Sequence, residues 1–528
     1  MNDHSISIER LGAPHALLKR IRLKNIIFIV LTTIFSFVHT YSAEAQIIEI
    51  GNRRQLFIDN KFVLNKNNTE LRVHKPQKTG DIIITSDSVW ILGGYGCVFE
   101  KDGIYHMWYP VSRSLGYACS TDGIHWRRPS FNFTTSDAVP KPNNIVLGHG
   151  AVGTEENGGM VFLDPMALEE QQFRLVTNSK ERFIQIFSSA DGVHWCHSHK
   201  DLVTFDKSSG KFHHLDSQNV IFWDTRLKKY VTYIRNNTLS NEPGNKQVRN
   251  VARGESFRLE YFGNAAEMPI VMHGSPREDI YTSGVMQYPW ADEVYLAFPT
   301  LYYHYGEWHK EFSKEAPFNA GVIDTRIAVS RDGVNWNNFN WDTFIPIGMD
   351  GEFDSKIVYT FYGIVPSLNG RELYMYYTGY NWPHGWDDGD RNPVLLTKAG
   401  MASKLHEQGA ISRVVLRRDG FVSIHAPFEG GEFTTPPLRF KGNQLVLNIE
   451  NASTGETRVE IRDEFGKPIP GFTLTDCDLI HSANEINRPV RWNGKSDVKI
   501  LEGKVIQLQF SMRDTDLYAF QFRNRPAF

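Results

Sequence analysis

Acidic residues recur at the heads of five short apolar segments: Asp87, Glu156 (beside Glu155), Asp216, Asp279 and Asp354 (near Glu352). Carboxyl groups gathered in a closed cavity suit glycosidic bond cleavage, which uses one carboxyl as acid and another as base or nucleophile, with their pKa values split by environment. The same set suits a calcium ion, which takes several oxygen ligands. Neighbouring residues rank the five. Asp216-Ser-Gln-Asn219 places an amide three residues on. Asp279-Ile-Tyr281 puts a phenol, and Glu352-Phe-Asp354 a second acid, on one strand face, because strand side chains alternate with a period of two. Asp216 and Asp279 lead the candidate catalytic residues, followed by Glu156 and Asp354. Asp87, the farthest from its strand, and Trp90 are candidates for substrate contact, together with Asn219 and Tyr281.

Two other groups bear on a ligand. Arg235, Arg249 and Arg253 lie close in sequence and suit a carboxylate or phosphate, with Arg235 the one assigned to substrate. Trp382-Pro-His384-Gly-Trp386 runs into Asp387, Asp388 and Asp390, an aromatic and acidic loop suited to stacking on a sugar face; Trp382 and His384 are its candidates. Other chemistries lack their residues. His213, His214, His304, His309 and His384 show no metal-ligand spacing, and neither a G-x-S-x-G elbow nor a glycine-rich phosphate loop is present. No cofactor and no catalytic metal are assigned; calcium is the one structural ion the acids suit.

The elements that must position these residues are marked by a repeat. Ser120-Thr-Asp-Gly-Ile-His-Trp126, Ser189-Ala-Asp-Gly-Val-His-Trp195 and Ser330-Arg-Asp-Gly-Val-Asn-Trp336 share four residue types at the same offsets. Worn copies are expected at Ser256 and Ser403, which makes the successive gaps 69, 67, 74 and 73 residues. Asp-Gly is a hairpin-turn dipeptide, so the motif is architectural and its aspartates stay out of the chemistry. Five near-equal units predict five blades of a β-propeller. Before each turn comes an aromatic second strand, such as Tyr105–Tyr109 or Tyr230–Tyr233, and before that an apolar inner strand, such as Gly96–Glu100 or Asn219–Trp223. The candidate acids then stand where the inner strands begin, at one mouth of the central axis. Asp164, Asp224 and Asp292 follow inner strands and read as turn formers at the far end. Gln55–Asp59 is expected to close the ring beside the last blade, protecting open sheet edges.

Beyond Pro436-Pro437 the repeat stops and alternating segments predict a second β-rich unit. The expected organisation is a signal peptide over 1–45, a five-bladed propeller over 46–429 and a C-terminal β-sandwich over 430–528. Lys19, Arg20, Arg22 and Lys24 precede an apolar stretch, Ile26 to Val38, and then Ser-Ala-Glu-Ala, which reads as an export signal cleaved near Ala45. A secreted or periplasmic location follows, with no membrane segment in the mature form. A net charge of −3, with no basic run past the N-terminal tail, gives no footprint for nucleic acid. Cys97 and Cys119 suit facing positions on neighbouring strands, with free thiols as the alternative to a disulfide; no C-x-x-C spacing occurs.

Repeats, S-x-D-G-x-x-W turns, axial acids and a trailing β-rich region together resemble the clan of five-bladed glycoside hydrolases that includes families 32, 43 and 68. Leu56-Phe-Ile-Asp59, Phe162-Leu-Asp-Pro165 and Gln218 to Asp224 are similar to uncharacterised bacterial proteins grouped with family 32. The resemblance runs from about residue 51 to the C-terminus and implies an exported glycoside hydrolase with a poly- or oligosaccharide substrate. Family 32 carries W-M-N-D-P-N-G, R-D-P and E-C motifs; all three are absent here, so no residue is carried over by motif. Two alternatives stand beside hydrolysis: a non-catalytic glycan-binding propeller, and a family 130-like phosphorylase whose arginines hold phosphate. Sugar, linkage, stereochemistry and oligomeric state are not read from these residues.

Overall fold

The structure, a computed structural model, describes residues 46–86, 92–112, 114–133, 142–148, 159–178, 184–199, 202–204, 215, 217–239, 247–291, 293–304, 321–384 and 409–525. The expected export signal therefore lies outside the described residues. Strands dominate, helical turns are short 3-10 segments, and no described helix is long and apolar enough to cross a membrane. The fold is an all-β propeller. Three four-stranded antiparallel sheets come first. One runs Cys97–Lys101, Ile104–Val111, Ser114–Ser120 and Ile145–Leu147; the second Met160–Leu163, Phe173–Asn178, Ile184–Ser189 and Cys196–His199; the third Val220–Asp224, Lys229–Leu239, Gln247–Ser256 and Ile270–Met272. The inner and second strands fall where the aromatic and apolar runs predict them.

Five separate blades are not reproduced. After the third sheet come a three-stranded sheet (Met286–Gln287, Tyr295–Ala297, Ala328–Ser330) and a nine-stranded one that includes Glu278–Thr282, Thr300–His304, Gly321–Arg326, Ile357–Thr360, Glu372–Tyr380 and Ala410–Arg417. The physical reason is local. Pro299 has no N–H and, beside Gly284 at φ +53°, interrupts regular pairing between Ala297 and Thr300, where Arg326 N still donates to Pro299 O at 2.8 Å. A parallel bridge between Ile323 and Ile357 then fuses the strands on either side of it into one sheet. The worn turn expected at Ser403 falls outside the described residues; the strand there ends at Arg417, and Asp419-Gly420 follow it.

The repeated turns join neighbouring sheets. In each, the serine hydroxyl donates to the aspartate and accepts the glycine N–H, as at Ser189, Asp191 and Gly192. The freed glycine carbonyl then accepts from an aromatic on the preceding sheet: Tyr376 Oη to Gly123 O at 2.5 Å, Trp108 Nε1 to Gly192 O at 2.7 Å, and Tyr233 Oη to Gly333 O at 2.8 Å. Gly192 is held at φ +75°, and a Cβ there would come within 2.6 Å of the Trp108 ring, so both backbone and space require glycine. Asp164 and Asp224 cap their hairpins as turn formers, and each also accepts a tyrosine hydroxyl from the next sheet, Tyr230 and Tyr295.

Ring closure departs from expectation. Gln77–Thr85, and not Gln55–Asp59, pairs with Ala410–Arg417 and completes the last propeller sheet. Lys78 on that strand donates to Asp354 Oδ2 at 2.7 Å, and Tyr377 Oη donates to the same oxygen at 2.8 Å. At the axis, Val98 N donates to Tyr362 O and Tyr362 N to Gly96 O, tying first sheet to last. Gln55–Leu56 pairs instead with Val505–Arg523. Together with Ile48–Gly51, Asn65–Asn67 and Glu70–Val73 it joins an eleven-stranded sheet otherwise built from Val422 onward. The N-terminal strands over 48–73 thus pair with strands of the C-terminal unit, and Arg331 of the propeller reaches them by its side chain, donating to Leu56 O at 2.7 Å and pairing with Asp59 at 3.0 Å. Hydrogen bonding runs unbroken through that sheet because two long strands, Gln444–Asp463 and Val505–Arg523, carry it past bulges near Ile449 and Glu456. Asp419, fully buried, accepts from Arg54 Nε at 2.5 Å, Tyr288 Oη at 2.6 Å and Asn448 Nδ2 at 3.1 Å, which pins the sheet to the propeller. Cys97 and Cys119 are separated by the strand Ile104–Val111, and all four cysteines are free.

Two outcomes are expected from these contacts. Removing the amine by Lys78→Ala leaves the buried Asp354 with one partner and lowers unfolding free energy by about 2–3 kcal/mol, whereas Lys101→Ala, at an exposed pair, changes it by less than about 0.5 kcal/mol in the same denaturant titration. Burial pushes the turn carboxyls up, but the backbone N–H bonds and the His194 or Asn335 side chain outweigh it, holding Asp191 and Asp332 down at about 2. Because the folded value is depressed, that stabilisation is present above an ordinary aspartate pKa of about 4 and is lost as pH falls toward 2. Asp332→Asn therefore lowers the melting temperature at neutral pH, and the gap from the parent narrows on acidification; a gap that widens would contradict the account.

Candidate functional site

Of the acids at the inner-strand heads, Asp279 and Asp354 lie among the described residues, and Asp279 has the fuller set of partners. It sits second in Glu278–Thr282 and is 3% exposed. Oδ1 accepts the Arg249 backbone N–H at 2.9 Å; Oδ2 takes His304 Nε2 at 2.8 Å and Arg249 Nε at 3.1 Å. Burial pushes this carboxyl up, but the His304 hydrogen bond and the Arg249 guanidinium outweigh it and hold it below the usual carboxylate range. An ionised Asp279 accepts, so His304 Nε2 carries the proton in this contact. The register explains the meeting: Asp279 lies opposite Tyr302, and alternation brings His304 to the same face as Tyr302, their rings 3.9 Å apart.

An aromatic wall surrounds this group. Tyr281 shares the face of Asp279, as the period of two predicts, and Arg249 lies across both, its Cζ 4.6 Å from the Tyr281 ring centre. Tyr281 Oη and His384 Nε2 are 3.0 Å apart, and the His384 ring packs on Tyr302 at 4.7 Å. His384 reaches this place because its backbone pairs with Gly321 at the start of a strand. Tyr95, Tyr359 and Tyr380 complete the cluster, with Trp382 packed on Tyr380 at 4.8 Å. Burial first, and then the neighbouring tyrosines, push the Tyr359 hydroxyl well above its ordinary pKa, so it stays protonated.

Asp279, Tyr281, Trp382 and His384 are therefore brought together. Arg235 reaches the edge of the group, lining a narrow cleft with Gln218 and Tyr281, while its Nε donates to Asn237 Oδ1 at 3.1 Å. Asn219 is buried, its amide donating to Leu215 O and Ser217 O at 2.9 Å, so it shapes the loop at the strand head. Gln218 bridges three sheets by donating to Gly96 O at 3.0 Å and Gly159 O at 3.2 Å. The expected arginine cluster divides. Arg249 joins Asp279, whereas Arg253 lies farther along the strand, paired with Glu255 at 2.5 Å and Tyr233 Oη at 3.1 Å.

Asp354 is placed elsewhere. Three inter-strand steps along the ladder, at most about 14 Å, lie between Asp279 and Ile357 just beyond Asp354, and among the described residues the two carboxyls share no partner. Asp354 serves ring closure through Lys78 and Tyr377, and Glu352 accepts the Met349 N–H within its own turn. Asp87, Trp90, Glu156 and Asp216 lie outside the described residues. Among the described residues no three His, Cys, Asp or Glu come together as metal ligands. Sequence reasoning passed over Tyr95, Tyr302, His304, Tyr359 and Tyr380. Alternation in Thr300–His304 signals that Tyr302 and His304 share a face, but only strand pairing reveals that the face meets Asp279.

No family model and no curated protein matches the chain. Among solved structures it is similar to one titled "Glycoside hydrolase", at 14% identity and a TM-score of 0.45, over 65% of this chain and 92% of that one. It is also similar to a thermostable family-43 glycoside hydrolase, at 12% identity and a TM-score of 0.42, over 66% of this chain and 96% of that one. A third, titled for the GH130 family of mannoside phosphorylases containing hydrolases that target beta-1,2 mannosidic linkages in Candida mannan, matches at 12% identity and a TM-score of 0.36, over 72% of this chain and 95% of that one.

Proposed function

We propose that the chain is an exported glycoside hydrolase that takes a poly- or oligosaccharide at the axial mouth. The observation that carries this reading is Asp279, a buried carboxyl held ionised by Arg249 and His304 at the foot of an aromatic wall. An ionised carboxylate accepts a proton or attacks carbon; it does not protonate a leaving oxygen. Asp279 therefore takes the base or nucleophile side of a carboxyl pair, and the general acid falls to Asp216 or Glu156. Tyr281, Trp382 and His384, each half-buried, supply aromatic surface for a sugar ring. Asp354 is left to the ring-closing contact. No cofactor is needed for this chemistry.

The N-terminal basic and apolar pattern supports export, with cleavage near Ala45 and a secreted or periplasmic product. A second reading, glycan binding without hydrolysis, draws on one specific observation: both Asp279 oxygens already accept hydrogen bonds, and the residue is 3% exposed.

Parallel assays of Asp279→Asn and Asp216→Asn on a polysaccharide panel separate the two. The hydrolase reading expects product formation to fall roughly 10²- to 10⁴-fold in each while saccharide binding persists. Its acid limb should also lie below the pH of an ordinary carboxylate, because the Asp279 pKa is depressed. Hydrolysis unchanged in both variants sinks the assignment, and saccharide binding with no products from the parent protein favours the second reading.

A further inference from the structure

At the end of the inner strands opposite the mouth lies a cavity of 1020 Å³. Its propeller wall is aromatic, with Phe99, Phe162, Trp223 and Trp290 coming from inner strands or the hairpins that follow them. The facing wall belongs to the eleven-stranded sheet and carries Arg53, Arg54 and Arg523; Arg418 enters from the end of the last propeller sheet. Asp279, Tyr281 and His384 line no part of it.

The charge of this cavity is one-sided. Four arginines line it against a single acid, Glu100, whose Oε1 accepts the Gly103 N–H at 2.7 Å in its own hairpin. Arg54 is neutralised by Asp419. Arg418 and Arg523 have no ion pair among the described residues, and the Nε of each is buried without an acceptor. Arg418 lies over the Trp290 ring, its Cζ 5.2 Å from the ring centre. Burial and the nearby Arg54 charge both disfavour the Arg523 cation. Both arginines are half-buried, and a carboxylate, whose two oxygens match the guanidinium fork, is the group that pairs with a cation left without an acid. The tryptophan faces beside it suit the apolar face of a sugar ring.

We infer that this cavity is a second saccharide site, distinct from the mouth, that takes a uronate-bearing sugar with its carboxylate on Arg418 and Arg523 and its ring against Trp290. The choice of a sugar rests on the saccharide reading of the mouth; the choice of a carboxylate rests on the arginines alone. Because the two walls come from different units, a bound uronate also clamps the C-terminal sheet to the propeller.

Calorimetric titration of the full mature chain tests this with three probes: a uronic-acid disaccharide, its carboxyl-reduced neutral counterpart, and inorganic phosphate. The disaccharide acid should bind the parent, and binding should weaken roughly ten- to hundredfold in Arg523→Gln and Arg418→Gln. Should either arginine variant melt early, Trp290→Leu reads the same site from the propeller wall. Equal binding of acid and neutral disaccharides, binding of phosphate alone, no binding of the acid, or loss of binding in Asp279→Asn with Arg523→Gln unaffected would each overturn the inference. Failure of hydrolysis at the mouth leaves this readout untouched, so the two readings fail separately.

Discussion

The contact on which the propeller depends is the hydrogen bond from a buried aromatic donor on one sheet to a glycine carbonyl in the turn of the next. Sheets that pack face to face gain from burying large rings, yet Trp and Tyr carry a polar atom that costs about 1–3 kcal/mol if buried unpaired. Trp108, Tyr233 and Tyr376 are among the fully buried side chains, so each needs an acceptor inside the interface. The Ser-x-Asp-Gly turn supplies it. Serine and aspartate consume the turn's own N–H groups, glycine permits positive φ with no Cβ in the way of the ring, and the carbonyl is left pointing at the neighbour.

Closure follows the same economy of buried polar groups at two larger seams. Lys78 and Tyr377 converge on Asp354 where the N-terminal strand completes the last sheet. Arg54, Tyr288 and Asn448 converge on Asp419 where the eleven-stranded sheet meets the propeller. In both, a carboxylate buried almost completely is tolerated because cation and phenol reach it from different segments of chain. The order of elements along the chain then makes sense. Residues 48–73 first build into the C-terminal sheet, and the chain crosses to the propeller in time for Gln77–Thr85 to close it.

Strand order within the first three sheets was legible because turn dipeptides and aromatic runs are local signals. The illegible part depended on pairing across long separations. Gln55–Asp59 has the composition of a closing strand, but Gln77–Thr85 holds that place, and nothing in either segment alone distinguishes them. Asp354 looked like its fellow acids from sequence, and its use emerged only when Lys78, 276 residues away, came beside it. The alternation that joins Asp279 to Tyr281 was readable, while His304 reaches the acid through the hairpin register alone. Pro299 is the exception, a visible residue whose missing N–H interrupts the ladder between Ala297 and Thr300.

Wear in the repeat has the same physical origin. By register, Trp108 and Tyr233 stand three residues beyond the residue opposite the turn serine or its equivalent. The corresponding positions are Val176 in the second sheet and Phe298 beyond Tyr295. Neither carries a polar donor. The turn that comes after Val176 around the ring begins at Ser256 and has Arg258-Leu259 where its relatives have Asp-Gly. The turn that comes after Phe298 is Asp419-Gly420, where positive φ sits on Asp419 and the carboxylate takes the Tyr288 hydroxyl instead. A turn thus keeps its aspartate and glycine in the standard places where a buried ring on the preceding sheet asks for a carbonyl, and departs from them where no ring asks. The spacing of intact and worn copies along the chain is then a record of which interfaces bury a donor.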